Sequence, residues 1–189
     1  MSEVKETFKN EMELIMSAKS ENEGLARLAV AAFMACMRLE IESLPSNESF
    51  ARVVVAAFLT RLNPTMEEVA DIKTAVSEAV TNAIVHGYRG MEEKGKVVLK
   101  GYIEDCLIHV KVVDDGVGIA DVKKAMEPLF TTAPEEERSG MGFAFMEAFM
   151  DEVVVESRPG EGCSVSMIKK IGEGATAEVY LVEERASGR

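Results

Sequence analysis

The chain lacks most features that would anchor a protein in lipid, staple it covalently or draw it to nucleic acid. No apolar run reaches the length of a bilayer span, so no membrane role is expected. Cysteine is scarce. Cys36, Cys106 and Cys163 lie far apart without metal-ligand spacing, and each reads as a buried or incidental thiol in a reducing cytoplasm. Positive charge is in deficit, with 21 Lys and Arg against 33 Asp and Glu. The net charge of -12 argues against direct nucleic-acid binding and suits either a basic protein partner or plain solubility. Met1 to Asn10 is charged and polar, unlike a secretory signal.

What is present is enough for a core. A length of 189 residues with 47% apolar content suits one domain with appendages. The central segment is the most legible. Pro64 ends one helix, and Thr65 with Glu68 forms a capping box for the next. Ile72, Val76, Ala79 and Ala83 then share one stripe at helical period, and Gly87 is the stop. Lys96 to Ile103 and Leu107 to Val113 read as an antiparallel strand pair turned at Glu104-Asp105. Pro128 to Ser139 is polar and irregular, a mobile loop; Gly142 to Met150 reads as a helix. Glu152 to Glu156 and Cys163 to Ile168 are two further strands, turned by Pro159-Gly160-Glu161-Gly162. The expected fold is an α/β two-layer sandwich, a mixed and largely antiparallel sheet with helices on one face.

The first third of the chain contains one unit written twice. Asn22-Glu23, Ala26-Arg27 and Val30-Ala31-Ala32-Phe33 recur as Asn47-Glu48, Ala51-Arg52 and Val55-Ala56-Ala57-Phe58, with Met12 and Leu14 matching Met37 and Leu39. The offset is a constant 25 residues, which marks a duplicated strand-plus-helix unit. Residues 1–36 are therefore expected as an extra unit outside a core domain of residues 37–170. The second copy, joined directly to the capping-box helix, should hold the native position. The apolar residues Leu25, Leu28, Ala32 and Phe33 favour packing or exchange into a neighbour over disorder, and hence a homodimer.

Three motifs carry chemistry. Glu78 and Asn82 stand one helical turn apart, so a carboxylate and an amide can face one ligand. Asp114-Asp115-Gly116-Val117-Gly118 and Gly140-Met141-Gly142 are glycine clusters that let backbone amides approach phosphates. Alone, Glu78 reads as a solvated helix residue and Asp114-Asp115-Gly116 as a turn after a strand. Their order and spacing together indicate a nucleotide site.

With these boxes, the sequence resembles the GHKL ATPase superfamily and, within it, the anti-sigma-F serine kinases of spore-forming bacteria. The likeness is carried by Asn47 to Arg52, Glu78 to Tyr88, Pro128 to Thr132 and Glu137 to Phe143, and runs from about Met37 to Lys170. It implies the GHKL (Bergerat) fold, ATP/ADP and Mg²⁺ as cofactors, and two partners. One is a sporulation sigma factor held inactive. The other is an anti-anti-sigma protein phosphorylated on serine. By the same resemblance Glu78 is the general base, Asn82 the Mg²⁺ ligand and Asp114 the adenine contact. Gly116 and Gly118 turn the chain beside the base. Thr131, Arg138, Gly140, Met141 and Gly142 belong to the phosphate side, with residues 128–139 as a lid. Arg52 is the shared contact to both protein partners.

The sequence departs from the family pattern at two places. Gly162 is followed by Cys163-Ser164 where a Gly-Thr pair would help hold adenine, so Ser164 is expected to supply that contact. Residues 171–189, with Ile171-Gly172-Glu173-Gly174, resemble the glycine-rich loop of ordinary protein kinases but leave no room for such a domain. Other readings are a catalytically weak, nucleotide-dependent binding module and a kinase serving a stress sigma factor. A sensor kinase is disfavoured, because His86 and His109 are the only histidines and neither lies in a preceding helix pair.

Overall fold

The computed structural model describes residues 13–15, 36–91, 95–127 and 140–172. The elements in chain order are β1 (Glu13–Ile15), β2 (Cys36–Glu42), α1 (Asn47–Leu59), α2 (Met66–Asn82), β3 (Lys96–Glu104), β4 (Leu107–Asp114), α3 (Val122–Ala125), α4 (Gly142–Phe149), β5 (Glu152–Ser157) and β6 (Cys163–Lys170). They form one six-stranded sheet in the order β1-β2-β3-β4-β6-β5. Every pairing is antiparallel except β1 with β2.

Alternation decides the faces. In β4, Ile108, Val110 and Val112 are buried, and the same phase carries Asp114 inward at the strand's end. Val97 and Leu99 of β3 and Val165 and Met167 of β6 join that face. Against it lie Ile72, Val76 and Ala79 of α2, the stripe expected from helical period, with Val54, Val55 and Phe58 of α1. Full burial of side chains such as Ile72 or Phe58 contributes about 1.5–3 kcal/mol each. A polar carboxylate thus ends an otherwise apolar stripe, which places it where the helix layer opens.

The helix carrying Glu78 is fixed at both ends. At its start the Glu68 N–H donates to Thr65 Oγ1 at 3.2 Å and the Thr65 N–H donates to Glu68 Oε2 at 2.6 Å. Glu68 Oε1 also accepts from the Gly172 N–H at 3.1 Å, and Lys169 pairs with Asp71 at 3.3 Å, which ties this first turn to the end of β6. At its other end α2 does not stop at Asn82 but widens into a π turn over Ala83–Gly87. π turns are rare and cluster at functional sites.

Three residues of the first copy are described. Residues 13–15, expected outside the core domain, form the edge strand of the same sheet. Ile171, assigned by sequence to the tail, is buried. The remainder of residues 1–35, including Arg27 and the segment's apolar residues, lies outside the described residues, as do residues 173–189.

Thr65→Ala should lower stability by about 1 kcal/mol through loss of the cap. Urea denaturation followed by circular dichroism measures it. An unchanged midpoint would show that the reciprocal cap contributes nothing to holding α2.

Candidate functional site

The site forms where the end of α2, the end of β4 and the start of α4 converge over β6. It is a cavity of about 650 Å³, a volume typical of small-molecule sites. Glu78, Asn82, Asp114, Gly118, Gly140, Met141 and Gly142 all line it. Glu78 and Asn82 are half-buried on one side of α2. A side chain added at Gly142 would stand 3.0 Å from Glu78 Oε2 and 3.3 Å from Asn82 Nδ2. The N-terminal residue of α4 therefore sits directly against the carboxylate and the amide. Its bareness keeps a cradle open at a helix N-terminus, where backbone N–H groups point outward and favour anions.

The loop after β4 is held by backbone contacts. The Val117 N–H donates to the Gly87 carbonyl at 2.7 Å, and a Cβ at Gly116 would lie 1.9 Å from that same oxygen. Only glycine permits this approach of loop to helix end. Gly118 adopts φ +69 and passes Arg158, whose carbonyl would be 1.9 Å from an added Cβ. The Ile119 N–H donates to Ser157 Oγ at 2.8 Å, and that hydroxyl donates to the Gly162 carbonyl at 2.6 Å. The Asp-x-Gly-x-Gly segment is thereby clamped between the π turn and the β5–β6 turn.

The two adjacent aspartates have different surroundings. Asp114 is buried, and its Oδ1 accepts from the Gly116 N–H at 3.0 Å. Burial pushes its carboxyl above the usual range; the Gly116 and Cys163 amides oppose that shift and the Asp115 charge adds to it. Asp115 is taken by Tyr88, whose hydroxyl donates to the carboxylate while the Asp115 N–H donates back at 3.2 Å. Burial first, and Asp115 second, push the Tyr88 hydroxyl up, so it stays a donor. Asp114 is left as the acid facing the cavity.

Strand register corrects one expected contact. Cys163 is the ladder partner of Asp114 and lines the cavity beside Val165, whereas Ser164 stands opposite Val113 on the other face of the sheet. Its buried hydroxyl has no hydrogen-bond partner among the described residues. The cavity-facing residue is the cysteine. Burial and then the Asp114 charge push its thiol up to about 11, so it remains a protonated, weak donor.

Arg52 lies away from the cavity, on α1, with 41% side-chain exposure and an ion pair to Glu48 at 3.3 Å. Thr131, Arg138 and the expected lid over residues 128–139 lie outside the described residues. Sequence reasoning passed over Arg89 and Lys124, which line the cavity, and weighed His86 only against a sensor kinase although it lines the cavity too. The signal was available in the charge balance, since anion binding on so acidic a chain needs local cations. No group of three or more His, Cys, Asp or Glu able to hold a metal occurs among the described residues.

Residues 41–169 match the model of the histidine kinase-like ATPase domain. Similar curated proteins include the anti-sigma F factor of Geobacillus kaustophilus (strain HTA426), 55% identical over 166 residues, 88% of this chain and 96% of that one. The anti-sigma F factor of Thermoanaerobacter sp. (strain X514) is 57% identical over 165 residues, 87% of this chain and 96% of that one. The chain belongs to the anti-sigma F factor family of histidine kinase-like ATPases. Among solved structures, the RsbU and RsbW domains of Rv1364c from Mycobacterium tuberculosis share the fold, with a TM-score of 0.54 at 20% identity. That match covers 74% of this chain and 33% of the other. Family membership supports an anti-sigma role and implies ATP binding.

Asp114→Asn separates a binding role from a structural one. A carboxyl whose folded pKa is raised costs stability at neutral pH; that cost shrinks as the pH falls below the folded value and is gone below the unfolded one. The variant should therefore melt at or above the parent's temperature at pH 7, with the difference shrinking on acidification. Nucleotide affinity should fall about tenfold or more, ATP more than GTP, because a charged acceptor for the adenine amine is lost. Calorimetric titration with both nucleotides checks this. Equal losses for the two, or destabilisation at pH 7, would remove Asp114 from the adenine side.

Proposed function

We propose that the protein is a cytoplasmic serine kinase that uses ATP and Mg²⁺ to phosphorylate an anti-anti-sigma protein and otherwise holds a sporulation sigma factor inactive. The observation that carries this reading is the meeting of Glu78, Asn82 and the glycine start of α4 at one end of the cavity. A base, an oxygen donor and a helix N-terminus at one place form the set that phosphoryl transfer requires.

In this reading a Glu78 carboxylate oxygen takes the proton of the substrate serine hydroxyl. Asn82 Oδ1 would hold Mg²⁺. That hard cation, bound together with substrate phosphates, takes only one or two protein oxygens, so a larger acidic cage is not needed. Mg²⁺ supplies neutralisation of phosphate charge. Asp114 would accept from the adenine amine and the amides at Gly140, Met141 and Gly142 would face the phosphates; the family resemblance assigns Arg138 and Thr131 to that same role. Arg52 contacts both protein partners, and the assembly is a homodimer. The weak donor at Cys163 favours a second reading, in which nucleotide is held loosely and the protein acts mainly by binding.

Glu78→Gln should leave ATP affinity and melting near the parent's while lowering phosphotransfer to a serine-containing anti-anti-sigma protein by about 10²–10⁴. Phosphotransfer at the parent's rate would refute the base assignment. A parent chain that binds ATP and both partners yet transfers no phosphate would favour the binding-module reading. Arg52→Glu should weaken both protein partners and spare ATP; a variant that still captures both would place the interface elsewhere.

A further inference from the structure

The inner face of the sheet ends in a polar row. Asp114 of β4 is the ladder partner of Cys163 of β6, and Cys163 is the partner of Ser157 of β5. Alternation sets Ser157 in phase with Val153 and Val155, which pack on the core, so it takes the last inward position of its strand as Asp114 does in β4. Asp114 and Cys163 line the cavity; Ser157 is not among its lining residues. Any effect of Ser157 on a ligand therefore passes through its neighbours.

Those neighbours are the two walls of a narrow passage. The Ser157 hydroxyl accepts the Ile119 N–H at 2.8 Å and donates to the Gly162 carbonyl at 2.6 Å. Gly118 threads between them, since a Cβ there would lie 1.9 Å from the Arg158 carbonyl oxygen and 3.1 Å from that of Gly162. The Gly160 N–H donates to the Val117 carbonyl at 2.8 Å on the same side. That second tie is main chain to main chain and survives a change of side chain, whereas the Ser157 tie does not. Val117, Gly118 and Ile119 line the cavity and follow closely on Asp114. The stretch is held at Val117 by the Gly87 carbonyl and at Ile119 by the Ser157 hydroxyl.

We propose that Ser157 is a positioning residue for base recognition: its hydroxyl joins the loop after β4 to the β5–β6 turn and sets the wall against which Asp114 reads the nucleotide base. The proposal rests on the reading of the cavity as a nucleotide site with the base at Asp114, and it gives Ser157 no contact with the ligand. A hydrogen bond from the base amine to Asp114 is directional, so it weakens steeply when the ring can shift. A base that makes no such bond loses less when the wall loosens. Ser157 thus acts on the discrimination between bases, not only on the strength of binding.

The experiment compares Ser157→Val with Ser157→Thr in the full chain, because threonine keeps the hydroxyl that valine of nearly the same shape lacks. Ser157→Ala replaces the valine variant should that one fail to fold. Without nucleotide, hydrogen exchange of the Ile119 amide, read by NMR, should speed up about tenfold or more in Ser157→Val and stay near the parent's rate in Ser157→Thr. In calorimetric titration Ser157→Val should lose about three- to tenfold in ATP affinity and less in GTP affinity, so that the ratio of the two narrows; Ser157→Thr should keep the parent's ratio. A purely structural serine would lower the melting temperature and leave that ratio where it was. Unchanged exchange at Ile119 would overturn the proposal, as would equal losses for ATP and GTP, or threonine and valine variants that behave alike. Each of these failures leaves the nucleotide reading standing. A parent chain that binds neither nucleotide would bring down that reading and the proposal with it.

Discussion

One backbone contact sets the distances on which the site depends. Gly87 closes the π turn at the end of α2, and its carbonyl receives the Val117 N–H at 2.7 Å with Gly116 pressed flat beneath it. This joins the helix that carries Glu78 and Asn82 to the strand that carries Asp114. A methyl group at Gly116 would overlap the carbonyl, and one at Gly87 would come within 2.9 Å of the Asp114 carboxylate. The cavity width is therefore fixed by main-chain atoms rather than by side chains that can rotate. The π turn has a matching function. By widening the last turn it brings Gly87 to the loop while the regular part of α2 keeps its apolar stripe on the sheet.

Electrostatics in the cavity follows from how the fold separates like charges. Asp114 and Asp115 are adjacent in sequence, and two free carboxylates there would repel each other and any phosphate. Tyr88 removes Asp115 by a hydrogen bond on the outside of the strand end, and strand alternation alone carries Asp114 inward. Burial then raises the cost of ionising Asp114, which is offset when a hydrogen-bond donor arrives. Arg89 and Lys124 line the cavity together with Glu78, Asp114 and Asp121, so the cavity carries both signs of charge on a chain whose net charge is -12. The acidic surface consequently bears on partners and solubility, and local groups govern the ligand.

Much of this was legible in the sequence, for identifiable reasons. The Thr65–Glu68 box and the Ile72, Val76, Ala79 stripe are local signals, and both appear in the structure as read. The inward turn of Asp114 follows from period-two alternation after Ile108, Val110 and Val112. What failed was information that only pairing supplies. Whether Cys163 or Ser164 faces the cavity depends on where β6 begins against β4, and the Pro159–Gly162 turn alone does not fix that register. A shift of one residue exchanges the faces, and the register places Cys163, not the expected Ser164, beside Asp114. The short helix α3 and the π turn have no strong periodic signature, so Lys124 and His86 were not placed at the site.

The duplication shows the same dependence on pairing, with a different outcome. The copied strand stands in register with its original, with Leu14 the ladder partner of Leu39, so the offset of the pairing equals the offset of the sequence repeat. A duplicate is thus a compatible neighbour for its own original without any further change in sequence. The addition also falls at a harmless distance. β1 joins at β2, whereas the cavity is built over β4 and β6, with β3 between. The elements that hold Glu78, Asn82 and Asp114 keep their pairings whether or not the edge carries an extra strand. The fold can therefore vary this edge of the sheet while leaving the cavity intact.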